Sequence, residues 1–208
     1  MSILTLFVVI PVLMLLGLWF AKNLGQVRGV MVAGASALLI LAIWLTVTFI
    51  QMRHAGNTDP MLFTYSAPWF APLNIAYSVG VDGISVVMIL LSAIIVFTGT
   101  FASWQAMSQH KEYFLWFTLL STGVFGFFIS TDMFTMFMFY EVALIPMYLL
   151  IGVWGTGAKE YAAMKLTLML MGGSALLIIG ILAIYFFSGA TTMNVNEIAA
   201  MANIPEEV

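Results

Sequence analysis

Six stretches of this chain stay apolar long enough to cross a bilayer, and that decides what it can fold into. They cover residues 3–21, 29–50, 83–104, 114–130, 133–154 and 162–187. A hydrocarbon core takes about 20 helical residues to cross. Runs of this length read as helices, because a barrel strand would alternate and be far shorter. The expected fold is therefore an all-α membrane protein with six transmembrane helices. Only 7% of the 208 residues are charged, against about 25% in a soluble domain. So few charges mark no nucleic-acid partner. The absence of cysteine excludes disulfides, iron–sulfur clusters and thiol catalysis. The first run, MSILTLFVVI onward, has no basic residues ahead of it and no small-residue cleavage site after it. It is expected to remain as a first span, not to leave as a signal peptide.

The connections set a direction. If all six spans cross, the links holding Lys22 and Arg28, Lys111, and Lys159 share one side, and the other side has only Arg53. The positive-inside rule makes the first side cytoplasmic, so both ends of this chain are expected outside. The external loop 51–82 is rich in proline and ends in NIAYSVGVDG; a small hairpin and an irregular loop both fit it. Asp132, in the short link before the fifth span, is placed to cap that helix. The external tail 188–208 turns acidic and carries NEIAAMANI, enough for one or two helical turns.

Within the spans the charged residues are Glu141 and Lys165. Glu141 is the ninth residue of its span, about 12 Å below the outer surface at the helical rise. A charge there costs on the order of 3 kcal/mol. It either bridges two helices or handles a proton or ion, the usual role of an intramembrane carboxyl. Pro146 lies five residues on and leaves the Val142 carbonyl without its helical donor. That suits water entry beside the acid, or is a plain kink. Lys165 either snorkels to the cytoplasmic interface or faces the bundle and relays protons. Its depth differs from that of Glu141 by about 13 Å, so a direct ion pair is not expected. The two histidines, His54 and His110, are assigned to loops, which leaves the spans without a pair of haem ligands. No phosphate loop, dinucleotide fingerprint or metal-ligand cluster appears. The chain thus reads as a transport part that binds no cofactor and whose energy source lies elsewhere; a passive scaffold would have no use for Glu141.

FYEVALIPMYLLIGVWG (139–155) closely resembles the fifth-helix signature of subunit M of bacterial NADH–quinone oxidoreductase, respiratory complex I, the ND subunit 4 family. VGVDGISVVMILLSAII (79–95) resembles the family's entry to its third helix. EYAAMKLTLMLMGGSALLIIGILAIYF (160–186) resembles its sixth. The resemblance implies the first part of an antiporter-like inverted-repeat fold and a proton-translocating role in the respiratory electron-transport chain. It implies that quinone reduction and redox cofactors belong to other subunits, with two homologous antiporter-like subunits as membrane neighbours in the bacterial inner membrane. The family's essential fifth-helix glutamate falls on Glu141, and its sixth-helix lysine on Lys165. The glutamate's partner lysine belongs to a seventh helix beyond this chain, which is expected to be an N-terminal part. The alternative resemblance is to the D-type subunit of multisubunit sodium/proton antiporters. A cysteine at Ser108 is expected to stay unlabelled when an impermeant thiol reagent is added to intact cells; labelling from outside overturns the orientation.

Overall fold

The computed structural model describes residues 2–70, 75–104, 110–187 and 192–201. Ser108 and most of the acidic tail lie outside the described residues. Six long helices carry the fold: α1 (Leu6–Phe20), α2 (Leu24–His54), α3 (Gly83–Ala102), α4 (His110–Ile129), α5 (Met133–Trp154) and α6 (Lys159–Phe187). All six helical segments are long and apolar enough to span a membrane. α2, with 31 residues, is about 46 Å long at the helical rise and outruns its apolar stretch at both ends. A short helix of seven residues, α7 (Val195–Met201), follows. His54 is the last residue of α2 and His110 the first of α4, so both histidines sit at helix ends and not in loops.

α4 is the central helix. It packs against α1, α2, α3 and α5, and 44% of its apolar window is buried, against 11% for α5 and α6. One core joins α1 to α4 with the hairpin described below, and includes Phe7 against Phe125 with ring centres 5.5 Å apart. A smaller core gathers Met133, Ile181, Met193 and Ile198 at one end of α5 and α6. Hydroxyls inside the bundle bond to their own helices. Thr46, Thr100, Thr122 and Ser130 each donate to the carbonyl four residues back, which satisfies a donor where lipid offers no acceptor.

The loop 51–82 contains a hairpin, so of the two forms open to it the ordered one is found. β1 (Leu62–Phe70) and β2 (Ile75–Val81) pair antiparallel, with Ser66 opposite Ser78 and their hydroxyls 2.8 Å apart. The register slips between Leu62 and Tyr65. There Phe63 adopts φ 57°, a strained setting for an aromatic residue, and its carbonyl accepts the Ser2 hydroxyl at 3.1 Å. β2 continues the network onto the α4–α5 link: Thr131 N–H donates to Ser78 O at 2.9 Å. The link passes it to the tail, where Val195 N–H donates to Thr131 O and Met133 N–H to Met193 O, each at 3.0 Å. Hairpin, link and tail thus form one hydrogen-bonded clasp over one end of the bundle.

Asp132 is at the centre of that clasp. It is 1% exposed; one carboxylate oxygen accepts the Thr135 N–H at 2.9 Å, capping α5, and the other lies 3.5 Å from the Ala76 N–H of β2. Asp82 caps α3 in the same way through Ser85 N–H at 2.8 Å. Burial alone would raise the Asp82 pKa, but hydrogen bonds from Ser85 and the backbone outweigh it and hold the carboxyl below its ordinary value. That contribution to stability is present above the usual carboxylate range and is lost as pH falls through the depressed value.

At the opposite end, cations close helix C-termini. Lys111 Nζ donates to the Trp19 and Ala21 carbonyls of α1, both at 2.9 Å. Arg28 donates to Trp104 O, just past α3, at 2.7 Å and lies 4.9 Å over that indole. Lys159 Nζ donates to Val153 O of α5 at 2.6 Å. Each meets carbonyls that have no intrahelical donor and the negative end of a helix dipole. Asp132→Ala is expected to cost about 1–2 kcal/mol, the range for a lost cap, and Asp132→Asn much less, because the amide oxygen still accepts. Denaturant unfolding in detergent measures both.

Candidate functional site

α5 carries the site and two neighbours hold it. α4 touches it through glycines: a Cβ on Gly123 would lie 2.8 Å from both the Ala143 Cβ and the Ala143 backbone nitrogen, and one on Gly126 would enter the Phe139 ring. The backbones therefore meet directly, as small residues allow between membrane helices. Pro146 is buried inside α5. It cannot donate to Val142 O, so one rung of the helix is open a turn beyond Glu141.

Glu141 Oε1 is buried and accepts no hydrogen bond. Among the described residues it shares this state with two other side-chain atoms, Thr5 Oγ1 and Tyr77 Oη. A buried carboxyl oxygen left without a donor is costly in a low-dielectric site.

Glu141 shares a stripe of α5 with a residue that meets α6. On α5, Phe134, Glu141 and Gly152 are spaced by seven and then eleven residues, two and three turns, which puts them on one stripe. Gly152 lies against Ala163, a Cβ on it being 3.6 Å from that of Ala163. Phe134 packs into the small core that contains Ile181. The buried residues of α6 are Ala163, Ser174 and Ile181, spaced by eleven and then seven. Counting eleven back from Gly152 and eleven on from Ala163 brings Glu141 and Ser174 to one depth, on facing stripes.

A cavity of about 500 Å³ opens between the hairpin and α5, walled by Pro68, Trp69, Tyr77, Thr135, Met138 and Val142 among others. It descends from the capped end of α5 to the depth of Glu141. Burial raises the Tyr77 pKa, and the neighbouring Thr5 hydroxyl offsets this in part; no aligned hydrogen bond joins the two. Among the described residues no group of His, Cys, Asp and Glu is arranged to hold a metal.

Residues 130–207, which include Glu141, Pro146, Lys165 and Ser174, match the family described as "NADH:quinone oxidoreductase/Mrp antiporter, TM". NADH-quinone oxidoreductase subunit M of Rhodobacter capsulatus is 34% identical over 156 residues, which is 74% of this chain and 30% of that protein. Over these residues the chain is similar to both. Subunit M of Buchnera aphidicola is 29% identical across 93% of the chain and 41% of its own length. The chain thus spans about a third of the length of the relatives it matches. The fold follows a chain of respiratory complex I from Thermus thermophilus with a TM-score of 0.81, at 22% identity, over 98% of this chain and 40% of that one. It follows a chain of the Mrp complex from Dietzia sp. with a TM-score of 0.70, at 19% identity, over 94% and 20%. Six apolar helices and these likenesses make it a multi-pass membrane protein with the fold of antiporter-like subunits.

Within the family's matched segment, the structure does not bring Glu141 and Lys165 together. Lys165 is exposed in the second turn of α6, with Nζ 5.8 Å over the Tyr161 ring, nine residues or about 13 Å along α6 from Ser174. The burial of Ser174 is not legible in its own segment, where a serine beside Gly172 and Gly173 reads as small-residue packing; its spacing from Ala163 and Ile181 is the signal that marks it. Gly123→Ala is expected to cost about 1–3 kcal/mol by overpacking, since the backbone at Ala143 must give way. Thermal unfolding in detergent reads the loss, and Gly172→Ala, with open space at its Cβ, serves as the near-neutral control.

Proposed function

We propose that the chain is part of a proton-translocating, antiporter-like membrane subunit of an NADH:quinone oxidoreductase. The observation that carries this is Glu141 Oε1, buried without a donor at mid-helix in the segment that matches the family. The likeness to subunit M in two bacteria supports the choice of complex. Glu141 loads and releases the proton. The open rung at Pro146 admits water beside it. Lys165, a cation on the far side of the membrane from the clasp, passes protons onward through groups outside this chain. The counter-charge that the resemblance assigns to Glu141 belongs to a later helix, and the relatives do continue well beyond the matched length. The chain has no redox group of its own in this reading. Flavin, nicotinamide and quinone chemistry belong to partner subunits, and two homologous antiporter-like subunits lie beside it. The bacterial inner membrane holds it with both ends of this chain outside. A second reading, the D-type subunit of a multisubunit sodium/proton antiporter, is supported by the fold likeness to the Mrp complex.

In the assembled complex, Glu141→Gln keeps the shape of the side chain and cannot ionise. NADH-driven proton pumping by membrane vesicles is expected to fall to background, while Glu141→Asp retains more. Normal pumping and quinone reduction by assembled Glu141→Gln complex would sink the reading. Copurification with antiporter subunits and no NADH-oxidising subunit decides for the second.

A further inference from the structure

At the end of the bundle away from the clasp, some positive charge is left over. Arg28 and Lys159 sit on the carbonyls of Trp104 and Val153. Lys111 Nζ has three N–H groups and gives two of them to the Trp19 and Ala21 carbonyls. That holds its ammonium against the last turn of α1, next to Lys22. Lys22 is exposed, and its side chain meets no acceptor among the described residues. Glu112, the neighbour of Lys111 on α4, is exposed and pairs with neither lysine among those residues.

The helix that ends at these two lysines carries an unpartnered apolar stripe. Leu6, Leu13, Leu16 and Phe20 of α1 are exposed at spacings of seven, three and four, which keeps them on one face. The stripe is about 21 Å long at the helical rise, more than one leaflet of a hydrocarbon core about 30 Å thick. Trp19 and Phe20, 72% and 77% exposed, finish it just before Lys22, as aromatic residues do where a span meets the headgroups.

We propose that Lys22 and Lys111 bind the phosphate of an anionic glycerophospholipid whose acyl chain lies along the α1 stripe. The proposal stands apart from the reading of Glu141. Charge and apolar surface select this occupant together. A soluble anion would answer the lysines and leave the stripe uncovered. A zwitterionic lipid would bring a cation of its own up to two ammonium groups. A protein helix laid across the stripe would bury Lys22, and an unpaired ammonium is costly to bury. An anionic headgroup pairs with both lysines while its chain covers the stripe, the arrangement expected of basic groups at the ends of membrane helices.

The test uses the complete complex in nanodiscs of phosphatidylcholine, doped with a trace of a lipid that carries a photoreactive acyl chain. The probe is phosphatidylglycerol in one arm and phosphatidylcholine in the other, and the labelled peptides are mapped by mass spectrometry. Labelling of residues 13–20 is expected to be about twenty-fold stronger with the anionic probe, two lysines near a headgroup contributing about five-fold each. Lys22→Gln is expected to lower that excess to about five-fold, and Lys22→Arg to keep it. Lys22 makes no side-chain bond within the described residues, so a loss in Lys22→Gln is not a loss of fold. Equal labelling by the two probes overturns the proposal and leaves ordinary lipid against α1. No labelling by either overturns it in favour of a protein partner over the stripe. Displacement of the anionic probe by free glycerol phosphate overturns it in favour of a soluble-anion site. An excess that Lys22→Gln leaves unchanged overturns the assignment to these lysines.

Discussion

Lipid donates no hydrogen bonds, and every polar feature of this chain is arranged around that fact. Backbone groups close within helices. Hydroxyls along α2, α3 and α4 fold back on the preceding turn. Helix ends, where the internal ladder runs out, are met by side chains: carboxylates at the N-termini of α3 and α5, cations at the C-termini of α1 and α5. Against so complete a set of pairings, the few exceptions carry information. Thr5 and Tyr77 lie at the hairpin end, close to water. Glu141 alone among them is deep, and the cost of leaving it so is the strongest physical reason to assign it work.

The helices that hold Glu141 differ in how firmly they are themselves held. α4 is wedged among four neighbours and meets α5 at backbone distance through Gly123 and Gly126. Among the described residues α6 packs on α5 and, through Ile181, on the tail, with Leu168, Leu176, Ile179 and Phe186 exposed on its other faces.

Much of the fold was legible because lipid leaves the sequence few options. Apolar length gives the six helices, and a carboxylate amid that length gives Glu141. Asp132 was readable as a cap from its place before an apolar run. The hairpin is ambiguous in the sequence, because alternation over β1 and β2 is weak and its edges are fixed by partners far along the chain: Ser2, Ser130 and Thr131. The histidines were assigned to loops because apolarity stops before the helix does; α2 continues four residues past its apolar stretch, to His54. The centrality of α4 shows in the sequence only as a lower mean hydropathy, 1.4 against 1.9 or more in the other spans, which by itself names no neighbours. Ser174 needed the register of one helix on another, which no single segment contains.

The three cations that close α1, α3 and α5 act at two separate times. While a chain enters a membrane, charges of this kind resist crossing. Once it is folded, the same Lys111, Arg28 and Lys159 are spent on the carbonyls of Trp19, Trp104 and Val153. Moving such a charge to the other side of the membrane would thus damage the protein twice: the insertion machinery would misread it, and a helix end would be left open. In this chain the placing of charge and the closing of helix ends are thus tied to the same three side chains.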